Sequence, residues 1–191
     1  MKSKVLQSPR KSKLSVSKKF IITLVVVLVS SPFFGQSVFD KFDGQDDVTS
    51  IVVNKKMFDL MSKVKVDASD KETQQYMNLI KKLDNLKVFT TSSLKATGEM
   101  KLVADKYIKT SGLEELMRVS DSGKNIKILV KSGATDSQIK ELLMFIEGSG
   151  RSNQTVLMSL TGNFDLNEIS ILTDKMRIPG GEELKKATKG K

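Results

Sequence analysis

The stretch IKELLMFIE, Ile139 to Glu147, decides the fold, because it can be read with two periods. Ile139, Leu142, Leu143 and Ile146 recur at helical spacing, and Thr135 with Gln138 fits a capping box ahead of them. Periodicity alone does not separate helix from strand here. The neighbours do: the turn-rich GSGRSN at 148–153 leads into TVLMSLT, Thr155 to Thr161, and two apolar runs joined by such a turn read as a hairpin. We therefore read 139–147 as a strand.

Working upstream, Leu113 to Ser120, LEELMRVS, meets the turn signal DSGK at 121–124. Asn125 to Lys131, NIKILVK, then alternates Ile126, Ile128 and Val130 against Lys127, Leu129 and Lys131, which is a second hairpin. Before it, Ala96, Met100, Val103, Ala104, Tyr107 and Ile108 line one face of a helix that Gly112 stops. Gly98 lies inside that helix at a cost of about 1 kcal/mol relative to Ala, which suggests a close packing contact. Lys87 to Ser92, KVFTTS, reads as a strand. Ser69 with Glu72 forms a capping box for a helix carrying Tyr76, Leu79, Ile80 and Leu83 and ending near Asp84 or Asn85. Val48 to Val53, VTSIVV, reads as a strand, after which Asn54 caps a helix whose inward stripe is Met57, Leu60, Met61 and Val64. Ser37 to Asp47 reads as a short helical turn and a loop. Downstream of the opening stretch, Asp165 with Glu168 caps a helix carrying Leu166, Ile169, Leu172 and Met176 until Pro179, Gly180 and Gly181 end it. The order is strand, helix, helix, strand, helix, four strands, helix. This is an α+β domain, a mainly antiparallel sheet of about five to six strands with about four helices packed on it.

The first 37 residues have another purpose. Lys2, Lys4, Arg10, Lys11, Lys13, Lys18 and Lys19, with no acid among them, precede FIITLVVVLV, Phe20 to Val29, which leads into Ser30, Ser31, Pro32 and Gly35. That is the three-part layout of a secretory signal peptide. A membrane-spanning helix needs about 20 apolar residues, and this run holds half of that. Gly35 and Ser37 supply the small residues that a signal peptidase prefers, so cleavage is expected near them. The expected organisation is a signal peptide at 1–37, one α+β domain at 38–178 and a flexible basic tail at 179–191, the product being periplasmic or extracellular with no lasting membrane anchor.

Composition then removes several functions. The formal charge of +10 loses +7 with the signal and a further +2 with the tail, so no basic groove for nucleic acid remains. The chain has no Cys, which excludes disulfides and the lipid-bearing cysteine of a lipoprotein. With no His either, Ser-His-Asp and Cys-His nucleophilic sets and thiolate or imidazole zinc sites are excluded. Any catalysis is left to carboxylates, lysines, tyrosines or hydroxyls. The eight methionines after Met1 sit largely on the apolar stripes and are read as core filling.

Four groups of residues invite chemistry, and each has a plainer reading. Asp40, Asp43, Asp46 and Asp47 form an acidic turn, but Gly44 follows Asp43 directly, against the calcium-loop spacing, so a solvated turn is preferred to a metal site. Glu114 and Glu115 are neighbours in a strand and point to opposite faces, a poor arrangement for paired carboxylates. Asp165 and Glu168 are accounted for by the capping box. Tyr76 and Tyr107 lie on buried stripes and read as core. Gly148 to Gly150 and Gly180 with Gly181 match no phosphate or dinucleotide fingerprint, and Asn153-Gln154-Thr155 is only a formal glycosylation sequon. No catalytic, metal or cofactor-binding residue is assigned.

FDKFDG, VTSIVVNKKMFDLM, KELLMFIEG and SLTGNFDLNEISILTDKM together resemble the exported Bacteroidetes proteins of the domain-of-unknown-function 4252 family, over roughly Phe39 to Met176, with GNFDLNEISIL, Gly162 to Leu172, the most specific part. The resemblance implies a small envelope or secreted α+β domain, supports a strand at 139–147 and carries no catalytic residues. The leading expectation is a non-enzymatic module that binds a protein, lipid or envelope component. The alternatives are a small carboxylate-dependent hydrolase or isomerase, and an accessory or sensor in envelope-stress signalling. A cleft with two or more acids held at raised pKa would favour the enzyme; an exposed apolar patch or an open sheet edge would favour the binder.

Overall fold

Six antiparallel strands form one sheet in the order β1-β2-β6-β5-β4-β3, with β1 at Thr49–Asn54, β2 at Leu83–Thr91, β3 at Glu114–Asp121, β4 at Lys124–Ser132, β5 at Gln138–Glu147 and β6 at Thr155–Asp165. The computed structural model describes residues 37–64, 70–121, 123–135, 137–148, 154–176 and 179–189; the expected signal segment, Ser69 and Asn153 lie outside them. The five α-helices among these residues are α1 at Lys55–Met61, α2 at Lys71–Lys82, α3 at Leu94–Ser111, α4 at Ile169–Met176 and α5 at Gly181–Lys189. Ser37–Phe42 and Leu166–Glu168 form 3-10 turns. The fold is α+β, as the strand reading of 139–147 requires. Helix α3 carries the chain across the sheet to β3, and the meander β3-β4-β5-β6 returns it to β2 through hairpins, Gly123 taking φ 84° in the first turn.

Two apolar layers sandwich the sheet. On one face Leu86, Val88, Ile128, Leu142, Met144, Met158 and Leu160 meet Phe58 of α1, Leu79 and Ile80 of α2, Ile169 and Leu172 of α4 and Leu184 of α5. On the other, Phe89, Leu129, Leu143, Phe145 and Leu157 meet Ala96, Met100 and Ala104 of α3 and the two plugs Phe39 and Phe42. Because β5 and β6 are buried on both faces, their apolar residues run almost without interruption, which is why the period of 139–147 was ambiguous.

The structure corrects four details. In α1 the inward residues are Phe58, fully buried, and Met61, whereas Met57, Leu60 and Val64 are 50%, 54% and 59% exposed. A two-turn helix seats its largest side chain, and Phe58 removes more apolar area than Met57 would. Helix α2 ends at Lys82, earlier than its stripe suggested, because Leu83 already pairs with Gly162 in β6 and takes extended geometry. β6 passes so close to this junction that a Cβ on Gly162 would lie 2.3 Å from the Lys82 carbonyl oxygen. The cap of α2 is Asp70, which accepts from the Thr73 amide at 3.1 Å. Lastly, the segment expected as a flexible tail contains α5, anchored by the fully buried Leu184 and by an ion pair between Glu183 and Lys124.

Candidate functional site

Two features stand apart from ordinary packing, one inside and one at the rim. Inside, the face beneath α3 carries polar residues on the central strands. Glu141 of β5 is opposed by Lys131 of β4 on one side and Thr161 of β6 on the other. Only 7% of Glu141 is exposed, and the Tyr107 hydroxyl of α3 donates to its two oxygens at 2.8 and 2.9 Å. Burial pushes the Glu141 carboxyl above its ordinary range, against the opposing pull of the Tyr107 hydrogen bond and Lys131. Burial, and then the charge of Glu141, pushes the Tyr107 phenol well above its ordinary value. Phe39 closes the other side of Tyr107, ring to ring at 5.1 Å. Lys131 reaches the Ser111 carbonyl at the end of α3, 3.2 Å away. Nearby in the sheet, buried Lys87 of β2 pairs with Asp40 of the N-terminal turn, opposite Ser159 of β6, whose buried hydroxyl has no hydrogen-bond partner among the described residues. This arrangement holds a proton between a phenol and a carboxyl under a helix. It presents no acid to solvent.

At the rim, the two outer strands are built differently. β1, TSIVVN, carries no charge, and its register against β2 runs without a shift. Ile51 and Val52 are 43% and 47% exposed, and Met57 and Leu60 of α1, which follows β1 directly, are exposed as well. β3, EELMRVSD, has four charged residues and a bulge at Leu116. In a regular strand Glu115 and Arg118 would point to opposite faces; the extra residue turns both to one face, where they pair at 2.5 Å. Arg118 holds the Glu115 carboxyl below its ordinary value. Unpaired edges template association, and charges and bulges are the usual protection against it. β3 has that protection and β1 does not.

The residues singled out from sequence mostly have structural duties. Asp40 pairs with Lys87, and Asp43 accepts from the Ser50 hydroxyl at 2.5 Å, so two acids of the turn brace β1 and β2. Among the described residues no group of three or more acids is placed to hold a metal ion. Glu114 is exposed, while Glu115 is spent on Arg118. Asp165 and Glu168 form the capping box, and Glu168 also pairs with Lys82 at 2.7 Å. Tyr76 is half-buried core. Tyr107 is core at its ring and polar at its hydroxyl, a role that the helical stripe alone did not reveal. Its partner Glu141 was passed over; the available signal was its placement on the face shared by Leu143 and Phe145 in a buried strand.

A family model described as Domain of unknown function (DUF4252) matches residues 42–172, from Phe42 beside β1 to Leu172 in α4. The chain belongs to that family. The match takes in the whole sheet, the Glu141–Tyr107 pair and both outer strands of this DUF4252 chain, and leaves α5 outside. Neither a curated protein nor a solved structure matches the chain. No helix among the described residues is long and apolar enough to cross a membrane.

Proposed function

We propose that this chain is an exported, non-enzymatic interaction module of the cell envelope and that it binds through the β1 edge. The observation that carries the reading is the exposure of Ile51 and Val52 along an outer strand with no charge of its own, followed by a helix that leaves Met57 and Leu60 exposed. An unpaired strand offers main-chain donors and acceptors to an incoming strand, and flanking apolar side chains add area that is removed from water. Export is supported by the basic, apolar and small-residue layout of residues 1–37. The enzyme reading finds less support, since the raised carboxyl of Glu141 is buried, with both its oxygens facing Tyr107 beneath α3.

The test uses a photo-reactive residue placed in living cells at Val52 or, as a control, at Arg118 on β3. Crosslinks concentrated at Val52 support the reading, and equal or absent crosslinking at the two positions contradicts it. Mass spectrometry of the released protein should show a new N-terminus between Gln36 and Phe39; an intact Met1 in the mature form would refute export.

A further inference from the structure

We infer that the occupant of the β1 edge is the β1 edge of a second copy of this chain, the two sheets joining into one across a twofold axis. This rests on the binding role assigned to that edge and names its partner. Cross-strand partners share a face, and a twofold axis perpendicular to a sheet carries each face into itself. The axis must therefore pass through a residue position. With the axis at Ile51, that residue meets its own copy, Thr49 meets Val53, and Ser50 meets Val52, so no charged side chain enters the seam.

Charge at the two ends of the strand favours a second copy of the chain as the occupant. Asp46 and Asp47 precede β1, and Lys55 and Lys56 follow it. Antiparallel self-pairing brings the acidic turn before β1 of each copy towards the first turn of the other copy's α1, so Asp46 and Lys56 approach one another twice by symmetry. Asp46 and Lys56 are both exposed, and neither makes an ion pair among the described residues. Lys55, by contrast, is already held by the Lys81 and Leu83 carbonyls at 2.8 and 3.1 Å. Helix α1 packs through Phe58 on a face that continues across the seam, so the α1 helices of both copies, with Met57 and Leu60 exposed, lie on the same side of the joined sheet. β3 cannot serve in this way: its bulge breaks the repeat of outward main-chain groups.

Sedimentation equilibrium of the full chain over a wide concentration range tests this directly. The expected result is a reversible dimer that Val52→Lys weakens by about tenfold or more, since it places like charges beside the seam. Asp46→Lys alone and Lys56→Asp alone should each weaken it, while an equimolar mixture of the two variants should recover it as a heterodimer. Both positions are exposed, so circular dichroism should show the fold retained. A monomer at every concentration overturns the inference, as does a dimer indifferent to Val52→Lys or a mixture that fails to recover. A monomer whose Val52 still crosslinks to a different chain overturns the second copy and leaves the interaction reading standing. A monomer without such crosslinks removes both.

Discussion

The two outer strands of this sheet face the same physical problem with opposite means. β3 ends the sheet with four charged residues, a bulge at Leu116 and the Glu115–Arg118 pair. β1 ends it with six uncharged residues in unbroken register and an adjoining helix that turns Met57 and Leu60 outward. The proposed association uses the end of the sheet that lacks this protection and spares the end that has it.

The largest effect should come from detaching the apolar helix from that end. Phe58→Ala leaves a cavity in the core beneath α1 and should lower unfolding free energy by about 3–5 kcal/mol in urea titration. Val119→Ala on β3, a side chain 38% exposed, should change it by about 0.5 kcal/mol or less. Comparable losses at the two edges would mean that α1 is not the support of the β1 side.

Glu141→Gln separates the interior from both edges. A carboxyl raised by burial binds more protons in the folded state than in the unfolded chain, so it makes stability fall as pH rises above the ordinary carboxylate range and through its folded value. The glutamine variant should flatten that fall in thermal melts across acidic to neutral pH and leave association unchanged. An unaltered pH profile would contradict the assignment.

Gly98→Ala acts on neither edge. Gly98 lies exposed in the interior of α3, and a Cβ there would meet nothing within 4 Å, so the close contact inferred from sequence is absent. The substitution should stabilise the fold by about 1 kcal/mol without altering association. Removing the β3 guard by Glu115→Val with Arg118→Val should do the reverse. Those side chains are exposed, so the melting temperature should barely move, while light scattering rises as a second edge becomes adhesive.

Much of the fold was legible because local signals agreed with tertiary demands. The Asn54 cap accepts from the Met57 amide at 3.1 Å, and Gly112 ends α3 with φ 67°. Turn chemistry around 121–124 placed the β3–β4 hairpin, and the turn-rich sequence GSGRSN at 148–153 decided β5 against its helical spacing. What could not be read was set by distant partners. Leu83 left its helix because β6 was there to pair with it. The Met57, Leu60 and Val64 stripe predicted an inward face, but Phe58 took that place and turned the stripe to solvent. The β1 edge was hidden for the same reason, since VTSIVV has the composition of a strand wherever it sits. Which strand lies outermost is a property of topology and not of the segment. Glu141 was missed because a carboxylate in an apolar run signals a buried pair only when its partner, Tyr107 on α3, is known to lie above it.

Hydrogen–deuterium exchange of the full chain at rising protein concentration tests the difference between the two edges most directly. Amides of Thr49–Asn54 should gain protection with concentration while those of Glu114–Asp121 stay constant, because only an edge that pairs in the associated state loses its contact with water. Protection that rises equally in both strands, or in neither, would contradict the account.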